Sequence, residues 1–466
     1  MADSQTFEPV RIYVPVGSLG VGIAKEDVDY ALGKNPHAMA MDAGSTDSGA
    51  AYLAKGVSKN NRKGVKADLQ LLMAAQAKSG IPILIGTAGQ AGGDKNVDWT
   101  KDVVLEVARE NGYTPKIACL YSEIGAEIVK EKLAGGKIAP LPPLGDLDEE
   151  TIDRCLHIVG LMGPEPYFEA LEAGADIIIG GRTSDPAVIG AFAMWKGAPP
   201  EFCWHAGKVS ECGGQASTAG SGTRGVIFEV HEDGFIIEAA NSDFRTTAFT
   251  ISEHSLYENK DPFELTEPGG ILDLTQSRYE QLDEARVKVT GTTWRKKPYT
   301  MKLEGASGDK FQTVMFVAIA DPDVLAEPQV FHDRMESILT QRALSATDAK
   351  EGQFELSIRM YGWNGVNGLP PPEGTPPPRE IGLMCVVTAD TQELASDIAK
   401  ACGPYFFHMP IRDGMELPSY GMLFSPNEMD RGPVYQFELN HVVSVDDPLE
   451  LVRMEILDLA KETVDA

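Results

Sequence analysis

The chain is short of cysteine, of basic charge and of long apolar runs, and each shortage excludes something. Six cysteines, Cys119, Cys155, Cys203, Cys212, Cys385 and Cys402, are scattered through 466 residues with no CxxC pair and no Cys/His cluster. That spacing builds neither a disulfide framework nor a structural zinc site, and it predicts reduced, mostly buried thiols in a reducing compartment. Lysine and arginine number 41 against 69 aspartates and glutamates, a formal charge of -28. Such a surface repels nucleic acid and anionic membranes, so neither is expected as a partner. No segment approaches the roughly 18 consecutive apolar residues of a membrane-spanning helix. The opening MADSQTFEPVRIYV lacks the basic and apolar regions of a signal peptide, and a cytoplasmic protein is the expectation. No GxxxxGK loop occurs, and residues 17–22, GSLGVG, miss the glycine spacing of a dinucleotide site. ATP, NAD, haem and structural zinc all lack a signature.

What is present is an ordinary globular balance, 43% apolar and 24% charged, in a chain long enough for two or three domains. Short apolar runs at 11–16, 37–41, 81–85, 116–120, 157–161 and 176–179 read as strands. Helical patterns lie between several of them, notably at 66–78 and 101–111. Continuous apolar runs suit strands covered on both faces, so the first 190 residues predict parallel βαβ units in a doubly wound sheet. From about 225 the texture turns to β, with a hairpin over 225–240. This is either an insertion or the far edge of the first domain, and the pattern does not separate the two.

After 311 the order β-α-β-β-α-β predicts a ferredoxin-like unit, with strands at 313–320, 353–361, 381–387 and 434–439 and helices at 322–344 and 391–402. The run LPPPEGTPPP at 369–378 is stiff, cannot donate ladder bonds and predicts an exposed loop. Leu449, Val452, Ile456 and Leu459 form an apolar stripe at helical spacing, predicting a terminal helix that docks on the protein's own core or on a twin subunit. The fold class is therefore α/β: a large N-terminal domain over 1–310 holding a doubly wound, mostly parallel sheet, β-rich from about 225, then a ferredoxin-like α+β domain over 311–466.

Four loops at the carboxyl ends of the predicted strands are rich in Gly, Ser, Thr and Asp: 17–22, 41–49, 86–94 and 180–186. Ligands bind at that end of an open parallel sheet. Glycine N–H groups can converge on an anion and hydroxyls can orient it, so the loops are expected to line one site. Ser45, Thr46, Thr87, Gln90, Arg182 and Thr183 are the expected substrate contacts, with Arg182 suited to bidentate capture of a carboxylate. The competing use of Arg182 is a salt bridge to Asp185 or Asp42. Asp42 is the candidate general base. Asp47 and Asp94 are candidate ligands for a divalent ion such as Mg2+, and for Asp42 and Asp47 the alternative is Asx-turn or N-cap duty. Asp185, followed by Pro186, reads as an N-cap. In a second stretch, 205–218, Glu211 is a candidate acid or base and Cys212 a candidate nucleophile. The nearest histidine in sequence, His205, is more often a packed residue, which argues against a Cys-His hydrolase. Asn364, in the aromatic and amide loop 361–368, either closes over a site or turns the chain.

The segments MDAGSTDSG (41–49), GTAGQAGGD (86–94), GGRTSDPAV (180–188) and AGKVSECGGQAS (206–217), with the late stretch 423–450, resemble the acyclic terpene utilisation protein A (AtuA-like) family. The resemblance runs from about residue 10 to 460. It implies an α/β domain followed by a ferredoxin-like one, and work in degrading branched terpenoids and other carboxylic acids. It carries over no catalytic residue.

These readings converge on a cytoplasmic catabolic enzyme for a small anionic substrate, a carboxylic acid or its CoA thioester. The chemistry expected is that of a lyase or hydratase, with a proton taken from beside a carbonyl by Asp42 or Glu211. A homo-oligomer, with or without a small accessory subunit, is the expected assembly. Two other classes compete: a non-catalytic acyl-binding subunit that supports a partner enzyme, and a hydrolase using Cys212.

Overall fold

The computed structural model describes residues 7–257, 259–422 and 424–462, with the side chains of Asp47 and Glu462 outside that description. Two compact units divide the chain, one of Met1–Ser307 with Gln436–Ala466 and one of Gly308–Tyr435. Among the described residues no helix is long and apolar enough to cross a membrane.

The first unit is built on a mixed ten-stranded sheet. Its centre is five parallel strands in the spatial order Val10–Val14, Ala38–Asp42, Ile83–Gly86, Ile177–Gly180 and Lys116–Tyr121. These are the continuous apolar runs of the sequence. Alternate residues of each feed two separate cores. Ile12, Ala40, Leu84, Leu120 and Ile178 pack with helices Glu165–Glu172, Asp185–Trp195 and Pro200–Ser210 on one face. Tyr13, Met39, Ile85, Cys119 and Ile177 pack with helices Lys25–Gly33, Arg62–Ser79 and Asp94–Asn111 on the other. Burial on both faces is why these strands show no polar alternation.

The predicted hairpin exists as Val226–His231 and Gly234–Ala239, and it answers the question its sequence left open. Val226–His231 pairs antiparallel with Val10–Val14, so the hairpin continues this sheet on its far side. Arg286–Thr290 and Arg278–Gln281 extend that side, while Glu264–Glu267, Gly270–Asp273 and Thr293–Lys296 form a small sheet of their own. The predicted strand near 157 is present as His157–Gly160 but stands outside the large sheet. It pairs antiparallel with 303–306.

The terminal helix predicted from Leu449, Val452, Ile456 and Leu459 is corrected. Residues Arg453–Asp458 form a strand that pairs antiparallel along the whole of Lys116–Tyr121, and only Leu459–Glu462 are helical. The helical stripe competed with an open sheet edge, whose unpaired N–H and C=O groups offer a full ladder of bonds.

In the second unit the strand order is 354–361, 381–389, 311–319 and 428–435, all antiparallel where register is defined. Helices Pro328–Ala346 and Gln392–Phe406 cover one face and share a core of Phe331, Met335, Leu339, Ile398 and Cys402 with it. The predicted single helix over 322–344 is two, Pro322–Ala326 and Pro328–Ala346, because Pro328 cannot continue the first. The proline-rich run 369–378 is outside helix and strand, and mostly exposed.

Candidate functional site

Asp42, Gly86 and Gly180 end three neighbouring parallel strands, so the loops that follow them emerge side by side. Their backbone groups bond chiefly to one another. Ala43 N donates to Gly86 O at 2.9 Å, Thr87 N to Gly181 O at 3.0 Å, and Arg182 N to Gly92 O at 3.0 Å. The donors expected to cradle an anion are thus spent on locking the loops into one layer. Gly92 makes this possible. It has φ +69°, and a Cβ there would meet Arg182 N at 2.3 Å. Thr87, a β-branched residue, is held at φ 46°. Its hydroxyl donates to Thr183 O at 3.1 Å and accepts from the Arg182 guanidinium at 3.2 Å. Such strain persists only where surroundings over-determine it.

Arg182 is the node of this layer. Its Nε donates to Glu304 Oε2 at 2.9 Å, and Nη1 donates to Asp185 Oδ1 at 3.3 Å and Thr183 O at 3.0 Å. The side chain is therefore engaged internally, in the salt-bridge use that competed with substrate capture, and its main partner is Glu304. Burial would raise the Glu304 carboxyl, but Arg182 and Lys302 beside it hold it down at about 2. Thr46 donates to the second oxygen of Glu304 at 3.1 Å. Asp42 is buried just behind. One of its oxygens accepts from Gly44 N at 2.8 Å, while Oδ1 has no partner among the described residues. Burial, then the charge of Asp185, push its carboxyl well up.

A cleft of about 580 Å³ opens in front of this layer. Three basic side chains, Arg182, Lys208 and Lys302, line it together with three carboxylates, Asp185, Glu211 and Glu267, and with Ser45 and Ser184. Helix Pro200–Ser210 supplies Lys208, whose Nζ lies 2.5 Å from Glu211 Oε1. Burial raises the Glu211 carboxyl to about 8, against the pull of Lys208. Glu267, from the small sheet, accepts from Ser184 Oγ at 2.5 Å. Burial raises it to about 7. Asp185 is the first residue of helix Asp185–Trp195, and Ser184 is the N-cap.

The predicted residues are thus partly gathered. Ser45, Arg182 and Glu211 line the cleft, while Thr46, Thr87, Thr183 and Asp42 belong to the layer that supports it. Gln90 ties the layer to the 43–49 loop, donating to Ser45 O at 2.7 Å. Asp94 is elsewhere: it bonds Arg453 at 3.1 Å, and its backbone N–H donates to Glu123, which also bonds His157 at 2.5 Å. The Asp47 side chain lies outside the described residues. Asn364 belongs to the second unit, where its Oδ1 accepts from Met360 N at 2.8 Å and closes a turn. Sequence reading missed Glu267, Glu304 and Lys302, and passed over Lys208 within the 205–218 stretch. The one legible signal is for Lys302 and Glu304, which alternate with the buried apolar Met301 and Leu303 on strand Thr300–Ile319.

His205 is a packed histidine, bonded to Thr292 at 2.7 Å and Ser255 at 3.1 Å, and burial lowers it to about 3. The histidine near Cys212 is another one. Helix Ala248–Ser255, capped by Thr247, brings His254 to within 4.8 Å of Cys212 and Glu211, measured between ligand-type atoms.

Taken together, these features define an α/β protein with a charged cleft at the carboxyl ends of a parallel sheet. The family model described as acyclic terpene utilisation family protein AtuA matches residues 48–421, and the chain belongs to that family. The family is named for a catabolic role, acyclic terpene utilisation. No curated protein and no solved structure matches the chain.

Proposed function

We propose that the chain is a cytoplasmic catabolic enzyme that moves a proton beside the carbonyl of a small carboxylic acid or its CoA thioester, as a lyase or hydratase does. One observation carries the reading: on a protein of net charge -28, Lys208 and Lys302 converge in one cleft beside carboxylates, with the internally paired Arg182 behind them. An anion that must overcome the global field needs such local donors. Lys208 and Lys302 hold the substrate's carboxylate or carbonyl oxygen. Glu267, kept near neutrality by burial, moves the proton, because a general acid–base group works best with a pKa near the operating pH. Glu211 fixes Lys208, and Asp42 with Arg182 keeps the loop layer in register. The wider fold reading that goes with this is a doubly wound first domain and a ferredoxin-like second one, supported by the two-faced core and by the strand order of each unit.

The test is proton exchange in D2O, read by NMR, over a panel of hydroxy and unsaturated carboxylic acids and branched acyl-CoA thioesters. Glu267→Gln should slow exchange by about 10²–10⁴-fold, the usual worth of a general acid–base group. It should leave ligand-induced thermal stabilisation in place. A ligand that stabilises the chain without any exchange would replace this reading with a non-catalytic acyl-binding subunit. A panel flat in both readouts would remove the anion cleft itself.

A further inference from the structure

Glu211, which lines this cleft, is grouped with Cys212 and His254. A carboxylate oxygen, a thiol sulfur and an imidazole nitrogen lie within 4.8 Å of one another. His254 is 6% exposed, and its Nε2 has no hydrogen-bond partner among the described residues. An orphaned ring nitrogen at that depth is costly unless a water or an ion occupies it, and neutral imidazole is the commonest metal ligand among side chains.

We propose that these three residues bind one divalent transition ion of the zinc type, with the fourth position open to the cleft. The donor set decides the class. Thiolate and imidazole select zinc-like ions over Mg2+ or Ca2+, which take oxygen ligands. Three protein ligands with one open position is the arrangement of catalytic zinc sites. In a tetrahedral site donor atoms lie roughly 3.3–3.8 Å apart, so side-chain rotations close the remaining gap. Glu211 gives Oε1 to Lys208 at 2.5 Å, leaving Oε2 for the ion. The backbone around Cys212 is already braced: Gly213 has φ 58°, and a Cβ on Gly17 would meet the Cys212 carbonyl carbon at 2.8 Å. Helix Ala248–Ser255 is fixed by its own capping box, Thr247 with Thr250. The ligand for the open position is the carbonyl or carboxylate oxygen of the substrate. In this the inference deepens the function proposed above and names the electrophile that would polarise the bond next to the proton Glu267 moves.

Zinc binding is measured directly on the full chain. The apo protein is loaded with Zn2+ or Co2+, dialysed, and read by metal analysis and absorption spectroscopy. The site predicts about one ion per chain and a thiolate-to-cobalt charge-transfer band in the near ultraviolet. Cys212→Ser should abolish that band. His254→Gln should weaken zinc binding by more than about 100-fold, beyond what loss of an outer-sphere partner costs. Circular dichroism establishes that each variant is folded. Wild-type protein that retains no ion, or a cobalt spectrum unchanged in Cys212→Ser, overturns the site. Failure of the two proposals is distinguishable. A chain that binds zinc through Cys212 and His254 yet exchanges no substrate proton keeps the metal site and sinks the reaction. A chain that exchanges protons equally well with no zinc bound does the reverse.

Discussion

Arg182 and Glu304 meet at 2.9 Å although 122 positions separate them in the chain, and both side chains are almost fully buried. Arg182 leaves the end of a parallel strand, while Glu304 comes from the long strand Thr300–Ile319. Their contact holds the loop layer behind the cleft to the wall that carries Lys302. Several expected outcomes depend on it and on its neighbours.

Removing one partner of a buried ion pair leaves the other charge uncompensated. Glu304→Gln should therefore destabilise the first unit by about 3–5 kcal/mol at neutral pH. Urea unfolding, followed by fluorescence, measures it. The Glu304 carboxyl is held at about 2 against an ordinary 4.5, so its contribution is complete above 4.5 and is lost as the pH falls toward 2. Wild type and variant should converge in acid, and a difference that persists unchanged there would contradict the pairing.

Glu267 carries the opposite sign. Its carboxyl is raised from 4.5 to about 7, so the folded chain holds a proton that the unfolded chain releases. The stability this provides is present below 4.5 and is lost as the pH rises through 7. Glu267→Gln should thus gain on wild type between about pH 5 and pH 8. Melting temperatures across that range provide the check, and parallel curves for the two proteins would count against the shift.

Gly92→Ala combines a positive φ with a Cβ 2.3 Å from a backbone nitrogen. The backbone strain alone costs about 1–3 kcal/mol, and the clash must push loop 87–93 away from Arg182. Both a lowered melting temperature and weaker ligand binding are expected. A variant with wild-type stability would show that the two loops do not touch.

The strand Arg453–Asp458 closes one edge of the ten-stranded sheet, and Arg453 also stacks 4.0 Å above the Tyr121 ring. Deleting residues 453–466 should expose Lys116–Tyr121 as an open edge. Hydrogen exchange of the 116–121 amides should quicken, and the truncated chain should self-associate. Unchanged protection of those amides would mean that the strand adds little.

How much of this was legible beforehand follows from range. The five central strands, the helices between them and the hairpin near 230 could be read because two-sided burial, helical periodicity and turn residues leave local marks. So could the presence of special loops at the strand ends, since glycine at those angles is a local requirement. Local pattern misled at Leu449–Leu459, because a helical stripe and an edge strand place apolar residues at overlapping positions and only the open edge decides between them. The same limit hid most of the cleft. Lys208, Glu267, Lys302 and Glu304 look like ordinary surface charges in sequence, and each becomes a site residue only because distant strands and helices bury it beside the others. The sequence by itself determined the α/β architecture and the loop layer, which short-range burial and backbone rules dictate. The choice of which charges meet, at Arg182–Glu304, Lys208–Glu211 and around His254, was made by tertiary structure, because electrostatic partnership depends on distance in space and on desolvation.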